Sequence, residues 1–225
     1  SAEAGAGATE GVDLEHIRED LAALHARLAL TADAARPTAI AKRHALGMRT
    51  ARENIDAIFD KGSFQEVGQL VVAAQKRRRT REDLQANTPA DGMAAGVGQV
   101  NGELFDETAA RCVGLAYDYT VLAGTQGYFN HKKTDRVLEI AERWKAPVIF
   151  FAEGGGGRPG DVDAGTLIAS SLDTTSFSAF ARLSGLVPRI SVAAGRCFAG
   201  NAVFFGCADI AIGVEGPISA WAAQP

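Results

Sequence analysis

The apolar positions along the chain change their period several times, and each change marks a different kind of element. Leu14, Ile17, Leu21, Leu24 and Leu28 recur at three and four residues among charged neighbours, the stripe of an amphipathic helix, with Asp13 placed to cap it. A second helical stretch follows Pro37 and carries Lys42, Arg43 and His44. A third is predicted from Thr50, whose hydroxyl forms a capping-box pattern with Glu53, to Phe59, and Gly62 ends it. Residues 1–11 show no such period and read as a flexible tail or expression scar, which leaves 12–62 as an N-terminal helical segment. Nothing in that segment demands chemistry; packing or partner contact accounts for it.

Beyond Gly62 the pattern shortens. Phe64 to Val72 reads as a short strand, followed by the basic run Lys76 to Arg81 and a polar loop through Pro89. Val97 to Val100, Asn101-Gly102 and Glu103 to Phe105 form a hairpin signal, since Asn-Gly suits a type I′ turn. Arg111 to Leu122 is strand-like, and His131 to Trp144 is a helix with Val137, Ile140, Ala141 and Trp144 on one face. Pro147 to Ala152 is a buried strand. Helical stretches follow over Ala164 to Ser171 and Thr174 to Leu183, then a strand over Arg189 to Ala194, a short helix over Gly200 to Phe205 and a strand over Asp209 to Val214. Strands alternating with helices imply an α/β fold with mostly parallel pairing, the antiparallel hairpins coming first.

Composition narrows the classes without choosing among them. At 225 residues the chain can build one sizeable core, or a lobe of something larger. A net charge of −4 with 22% charged residues gives no global reason to expect nucleic acid. Cys112, Cys197 and Cys207 show no zinc spacing and leave one thiol over, so a reducing compartment is expected and all three read as small core residues. No apolar run approaches the length of a membrane span, so no membrane is implied and cytoplasmic is the default location.

The chemistry-bearing segment is Ala146 to Arg158, where an apolar strand ends in Gly154-Gly155-Gly156-Gly157-Arg158. Glycine lets backbone amides face a ligand at close range. The spacing Gly155-x-Gly157-x-x-Gly160 fits a dinucleotide fingerprint, but Pro159 sits inside the turn and no acidic residue ends a strand about 20 residues on. A plain solvent-facing turn is the second reading. A pair of amides stabilising an oxyanion is the third. A second corner favours the third: Ile190 to Asp209 reads strand, small-residue turn, short apolar helix, so two strand–glycine–helix corners can lie along one sheet rim. Such a rim suits an enolate or tetrahedral oxyanion derived from an acyl group.

Five motifs then line up in order. They are Thr50 to Ile55 with Phe59 to Glu66, Asp91-Gly-Met with Gly96 to Gly102, Tyr117 to Gly124, Lys133 through Gly154–Arg158, and Val187 to Val192 with Gly195 to Ala202. Together they resemble the carboxyltransferase subunits of biotin-dependent acyl-CoA carboxylases over roughly residues 35–215. The resemblance implies a crotonase-like ββα superhelix preceded by N-terminal helices, with 63–225 as the N-lobe. It implies transfer of CO2 from carboxybiotin on a carrier domain to the α-carbon of an acyl-CoA. The implied partners are a C-terminal lobe, biotin carboxylase and carrier components, and further copies of the chain in a homo-oligomer. No metal is implied in this lobe.

By position, the resemblance makes Gly155 and Gly156 the oxyanion glycines. It puts Gly154, Gly157, Arg158, Ala199, Gly200 and Lys133 at the acyl-CoA, Lys133 as a phosphate contact or equally a residue of an exposed helix face, and Arg158 equally as a structural brace. No strong side-chain base is required if biotin, freed of CO2, removes the α-proton. Gly154 and Gly157 depart from the family's usual Ser and Ala, and Asn201 from its second glycine. The segment after Pro217 fits poorly and no second lobe is expected, so the isolated chain should bind CoA and transfer nothing. Two alternatives stand beside this reading. A CoA-dependent hydratase or decarboxylase would need an acid such as Glu153 or Asp161 over the acyl carbon. A non-catalytic assembly lobe would dock through the N-terminal helices. The Lys76 to Arg81 run reads as a solvated loop before a CoA-phosphate, carrier or nucleic-acid grip. His131 has no triad partner in the sequence, and Asp118 reads as a turn brace.

Overall fold

The computed structural model describes residues 18–164, 174–214 and 220–221. The Asp13 cap and the predicted helix beyond Ala164 lie outside the described residues. Helices α1 (Glu19–Ala29), α2 (Pro37–His44) and α3 (Ala51–Ile58) come first. The Thr50–Glu53 capping box of α3 forms in both directions, the Glu53 amide donating to Thr50 Oγ1 and the Thr50 amide to Glu53 Oε2.

The predicted strand at Phe64 to Val72 shrinks to β1 (Gln65–Glu66), because Gly68 turns the chain away at positive φ. After α4 (Arg81–Asn87) the hairpin is real but larger than Asn101-Gly102 suggests. Strand β2 (Met93–Gln99) pairs antiparallel with β3 (Arg111–Tyr117), and the connection between them contains α5 (Glu107–Ala110). Glu103 to Phe105 is no strand; Asp60 accepts the Asn101 and Gly102 amides and bends the chain there instead. Helix α6 (Tyr128–Trp144) precedes β4 (Val148–Phe151), and α7 (Thr175–Arg182) precedes β5 (Arg189–Ala193). Strand β6 (Cys197–Phe198), α8 (Ala199–Gly206), β7 (Ile210–Gly213) and β8 (Ala220–Trp221) complete the order.

The main sheet runs β1-β2-β3-β4-β5-β7, antiparallel up to β3 and parallel from β3 onward, as the alternation predicts. A two-stranded sheet of β6 and β8, not foreseen, stands beside it.

Period-2 alternation on β3 sets the layers. Val113, Leu115 and Tyr117 face a core shared with α6, Phe180 of α7 and Phe204 of α8. Cys112 and Ala116 face α3, where Ile55 and Phe59 pack. Phe59 lies flat on the sheet because Gly98 and Gly114 bear no side chain; a Cβ at Gly98 would sit 2.5 Å from its ring. Trp144 leaves the predicted apolar face of α6 and stands 45% exposed, with the Arg111 guanidinium 4.7 Å from its ring centre. Cys112 and Cys197 are buried, with thiols pushed up to about 12 by desolvation, whereas Cys207 is exposed and is no core residue.

Candidate active site

Parallel strands β4 and β5 end side by side, and the chain turns at the carboxyl end of each. From β4 it enters the Gly154–Arg158 corner. From β5 it passes through β6 into α8. The two turns are stitched together: the Gly154 amide donates to Arg196 O at 2.8 Å, and the Phe198 amide donates back to Gly154 O at 2.9 Å. Gly156 sits at φ +82°, and a Cβ there would lie 2.7 Å from the Ala199 side chain. The first turn of α8 therefore rests directly on the glycine corner.

Asn201 holds that contact. Fully buried on α8, it accepts the Gly156 amide at 2.9 Å and donates to Gly124 O at 3.3 Å. The Gly155 amide is also taken, donating to Ala123 O at 3.0 Å. This corrects the sequence expectation, because neither the Gly155 nor the Gly156 N–H is free to meet a thioester oxygen. Their glycine character serves close packing instead. Gly154 likewise has no room for a side chain, since a Cβ would collide with Gly124 O and the Asn201 amide, so its role is internal. Gly157 differs: it is exposed and nothing lies within 4 Å of its Cβ position. Its amide takes no part in these bonds among the described residues. Gly200, second in α8, has no intrahelical acceptor for its amide. Gln126 packs so closely on it that any Cβ would strike the carboxamide oxygen.

Arg158 is 4% exposed and points inward, not at a ligand. It pairs with Asp91, donates from Nη2 to Thr125 O at 2.8 Å and from Nε to Thr125 Oγ1 at 3.1 Å, and approaches Asp161 at 3.5 Å. With its donors consumed, it is a brace for the corner and not an acyl-CoA contact. Asp91 also accepts the Asn130 amide at 2.8 Å, which seats the start of α6 against the same corner. Burial pushes the Asp91 carboxyl up, against the pull of the Arg158 charge.

Lys133 is corrected in the same way. It is 3% exposed, its ammonium donates to Met93 O and Ala90 O, and Glu66 Oε1 lies 3.6 Å off. Desolvation pulls it down to about 8, with Glu66 opposing. Its ammonium is bonded inside the fold and not presented to the surface.

The acids that a hydratase or decarboxylase would need are also spent. Glu153 forms a buried two-bond pair with Arg43, Nη1 to Oε1 at 2.9 Å. Asp161 accepts the Tyr128 amide at 2.8 Å and Gln75 Nε2 at 3.1 Å.

His131 does acquire partners, but in the wrong order for hydrolysis. The Ser176 hydroxyl donates to Asp135 Oδ1 at 2.6 Å and so accepts from His131 Nδ1 at 2.9 Å. A nucleophilic serine needs the reverse, with imidazole taking its proton. Desolvation pulls His131 down to about 4. Asp118 braces its turn, as expected, and is paired with Arg36 at 2.8 Å. Among the described residues no three His, Cys, Asp or Glu side chains cluster as a metal site. No helix among them is long and apolar enough to cross a membrane.

Sequence reading marked Asn201 and Asp91 only as motif positions, without their clamping role, and missed Gln126. A buried guanidinium at Arg158 requires a buried carboxylate, which is a signal, but spacing cannot say which of the chain's acids supplies it.

The chain is 32% identical to the propionyl-CoA carboxylase beta chain of Saccharopolyspora erythraea over 201 residues, 89% of this chain and 34% of the relative. It is 54% identical, with a TM-score of 0.82, to the structure of a single-chain, multi-domain long-chain acyl-CoA carboxylase, covering 88% of this chain and 19% of that one. A transcarboxylase 12S hexamer with hydrolysed methylmalonyl-CoA bound gives a TM-score of 0.67 at 26% identity, over 90% of this chain and 36% of that one. The fold is accordingly crotonase-like α/β, and the chain spans about a third of the length of the curated relatives it matches. Residues 42–220 match the Carboxyl transferase domain, and the chain belongs to that family.

Proposed function

We propose that this chain is the acyl-CoA-binding lobe of a biotin-dependent acyl-CoA carboxyltransferase. The observation that carries it is the junction of the glycine corner with α8 at the carboxyl ends of two parallel strands, in a chain of the carboxyl transferase family. Crevices at such strand ends bind ligands. The oxyanion donors on this reading are the amides of Gly157 and Gly200, with Ala199 beside them, in place of Gly155 and Gly156. Each amide aimed at the enolate oxygen is worth about 3–4 kcal/mol of barrier.

Carboxybiotin on a carrier supplies the CO2 from a second lobe. The residues present fit that division of labour, since Glu153 is paired with Arg43 and Asp161 is taken up by the Tyr128 amide and Gln75, which leaves the corner without a carboxylate base. This chain's task is to hold the thioester, orient its α-carbon and stabilise charge on its oxygen. Biotin carboxylase and carrier components, assembly as a homo-oligomer and a cytoplasmic setting belong to the same reading. The related carboxylases support the acyl-CoA chemistry, and the 12S hexamer supports the oligomer.

Calorimetry with acyl-CoA tests the binding half, and mixing with a C-terminal lobe and carboxybiotin tests transfer. Binding by the chain alone and carboxylation only in the mixture is the expected pair of results. An inability of the chain to bind any CoA thioester overturns the reading.

A further inference from the structure

Resting on that reading, we propose that the loop Lys76-Arg77-Arg78, with Arg81 and Arg27, grips the phosphate groups of the CoA whose thioester lies at the glycine corner. The loop does not sit at random on the surface. Asp163 accepts the backbone amides of Lys76 and Arg77, and the Asp163 amide donates to Ala74 O at 3.0 Å. Gln75 Nε2 donates to Asp161 at 3.1 Å. The basic loop is therefore tied by its backbone to the segment that leaves the corner through Arg158. Arg78 Nη1 lies 3.8 Å from the Cβ position of Gly160.

Gly160 is three residues beyond Gly157, a separation of at most about 11 Å. The pantetheine arm of a CoA thioester is long enough to span from Gly157 to this loop.

The side chains are left over by this anchoring. Lys76, Arg77, Arg78 and Arg81 are exposed, and among the described residues neither they nor Arg27 make an ion pair. Arg79 is the exception, paired with Asp83. Arg27 reaches the neighbourhood by donating to Leu70 O at 3.2 Å. Partial burial, and then the charge of Arg81, pull it below its ordinary value. Five cations without an ion-pair partner among the described residues gather here on a chain whose net charge is −4. Of the nearby carboxylates, Asp163 is occupied by the loop's own amides, Asp83 pairs with Arg79, and Glu82 beside Arg81 is exposed. Guanidinium groups match phosphate oxygens two bonds at a time, and CoA offers three phosphates.

The test titrates the 225-residue chain with CoA, dephospho-CoA and pantetheine by calorimetry, beside an Arg77→Ala/Arg78→Ala variant and its Lys/Lys counterpart. The wild type should bind CoA more tightly than pantetheine, and added salt should narrow the gap. The Ala/Ala variant should lose roughly ten- to a hundredfold for CoA and nothing for pantetheine, with partial recovery in Lys/Lys. A smaller loss with dephospho-CoA would assign part of the grip to the 3′-phosphate. Unchanged CoA affinity in Ala/Ala overturns the grip and leaves the acyl-CoA reading standing. Equal losses for CoA and pantetheine also overturn it. A wild type that binds neither ligand overturns both.

Discussion

Two sets of basic residues flank the glycine corner and meet opposite fates. Arg158 and Lys133 are almost fully buried, and their donors are consumed by Asp91, Thr125, Met93 and Ala90. Lys76, Arg77 and Arg78 are exposed on a loop that is held by its backbone, so the charges remain available. A cation in a ligand-binding pattern is thus of two physical kinds. One is desolvated and builds the site. The other is solvated and can exchange water for a ligand at little structural cost.

The comparison breaks most visibly at Arg158. Arg158→Met leaves Asp91 buried without its cation, and urea denaturation should show a loss of about 3–5 kcal/mol. A loss below 1 kcal/mol would mean that Arg158 is not the brace described.

Next in size is acid sensitivity from His131. Burial holds its folded value near 4, below the ordinary 6.5, so the unfolded chain takes up a proton first as pH falls. Its contribution is full above pH 6.5 and is lost on the way down through pH 4, on the order of 3 kcal/mol at the limit. Thermal melts of His131→Gln should be flatter than wild type across that window.

Asn201→Ala strands the buried Gly156 amide and should cost about 1–3 kcal/mol, with acyl-CoA affinity falling as the corner loosens. Ala199 sits at φ +45°, a strained position for a residue with a Cβ, so Ala199→Gly should gain up to about 1 kcal/mol in the same denaturation assay. At the small end, Arg77→Ala and Arg78→Ala should change stability by less than about 0.5 kcal/mol. A large loss there would erase the distinction between the two sets.

Much of the fold was legible because its signals are local. The α3 capping box, the period of α6 and the buried runs of β4 and β5 each depend on residues within one or two turns of each other. The hairpin was misplaced where a distant carboxylate, Asp60, took over the Asn101-Gly102 turn. The β6–β8 pair escaped because two-residue strands have no period to detect.

At the site, the glycine corner and the start of α8 were visible as glycine and small-residue runs after strands. Which amides they leave open was not. That depends on Asn201 and Ala123, which lie 45 and 32 positions along the chain from Gly156 and Gly155.

The sequence by itself determined the family, the alternation of parallel strands and helices from β3 onward, and the two corners, because short-range propensity and motif order survive without coordinates. Only the tertiary structure decided the use of each polar group. A hydrogen-bond donor can serve one acceptor well, and which acceptor reaches Gly155, Gly156, Arg158 or Lys133 first is set by packing between segments far apart in the chain.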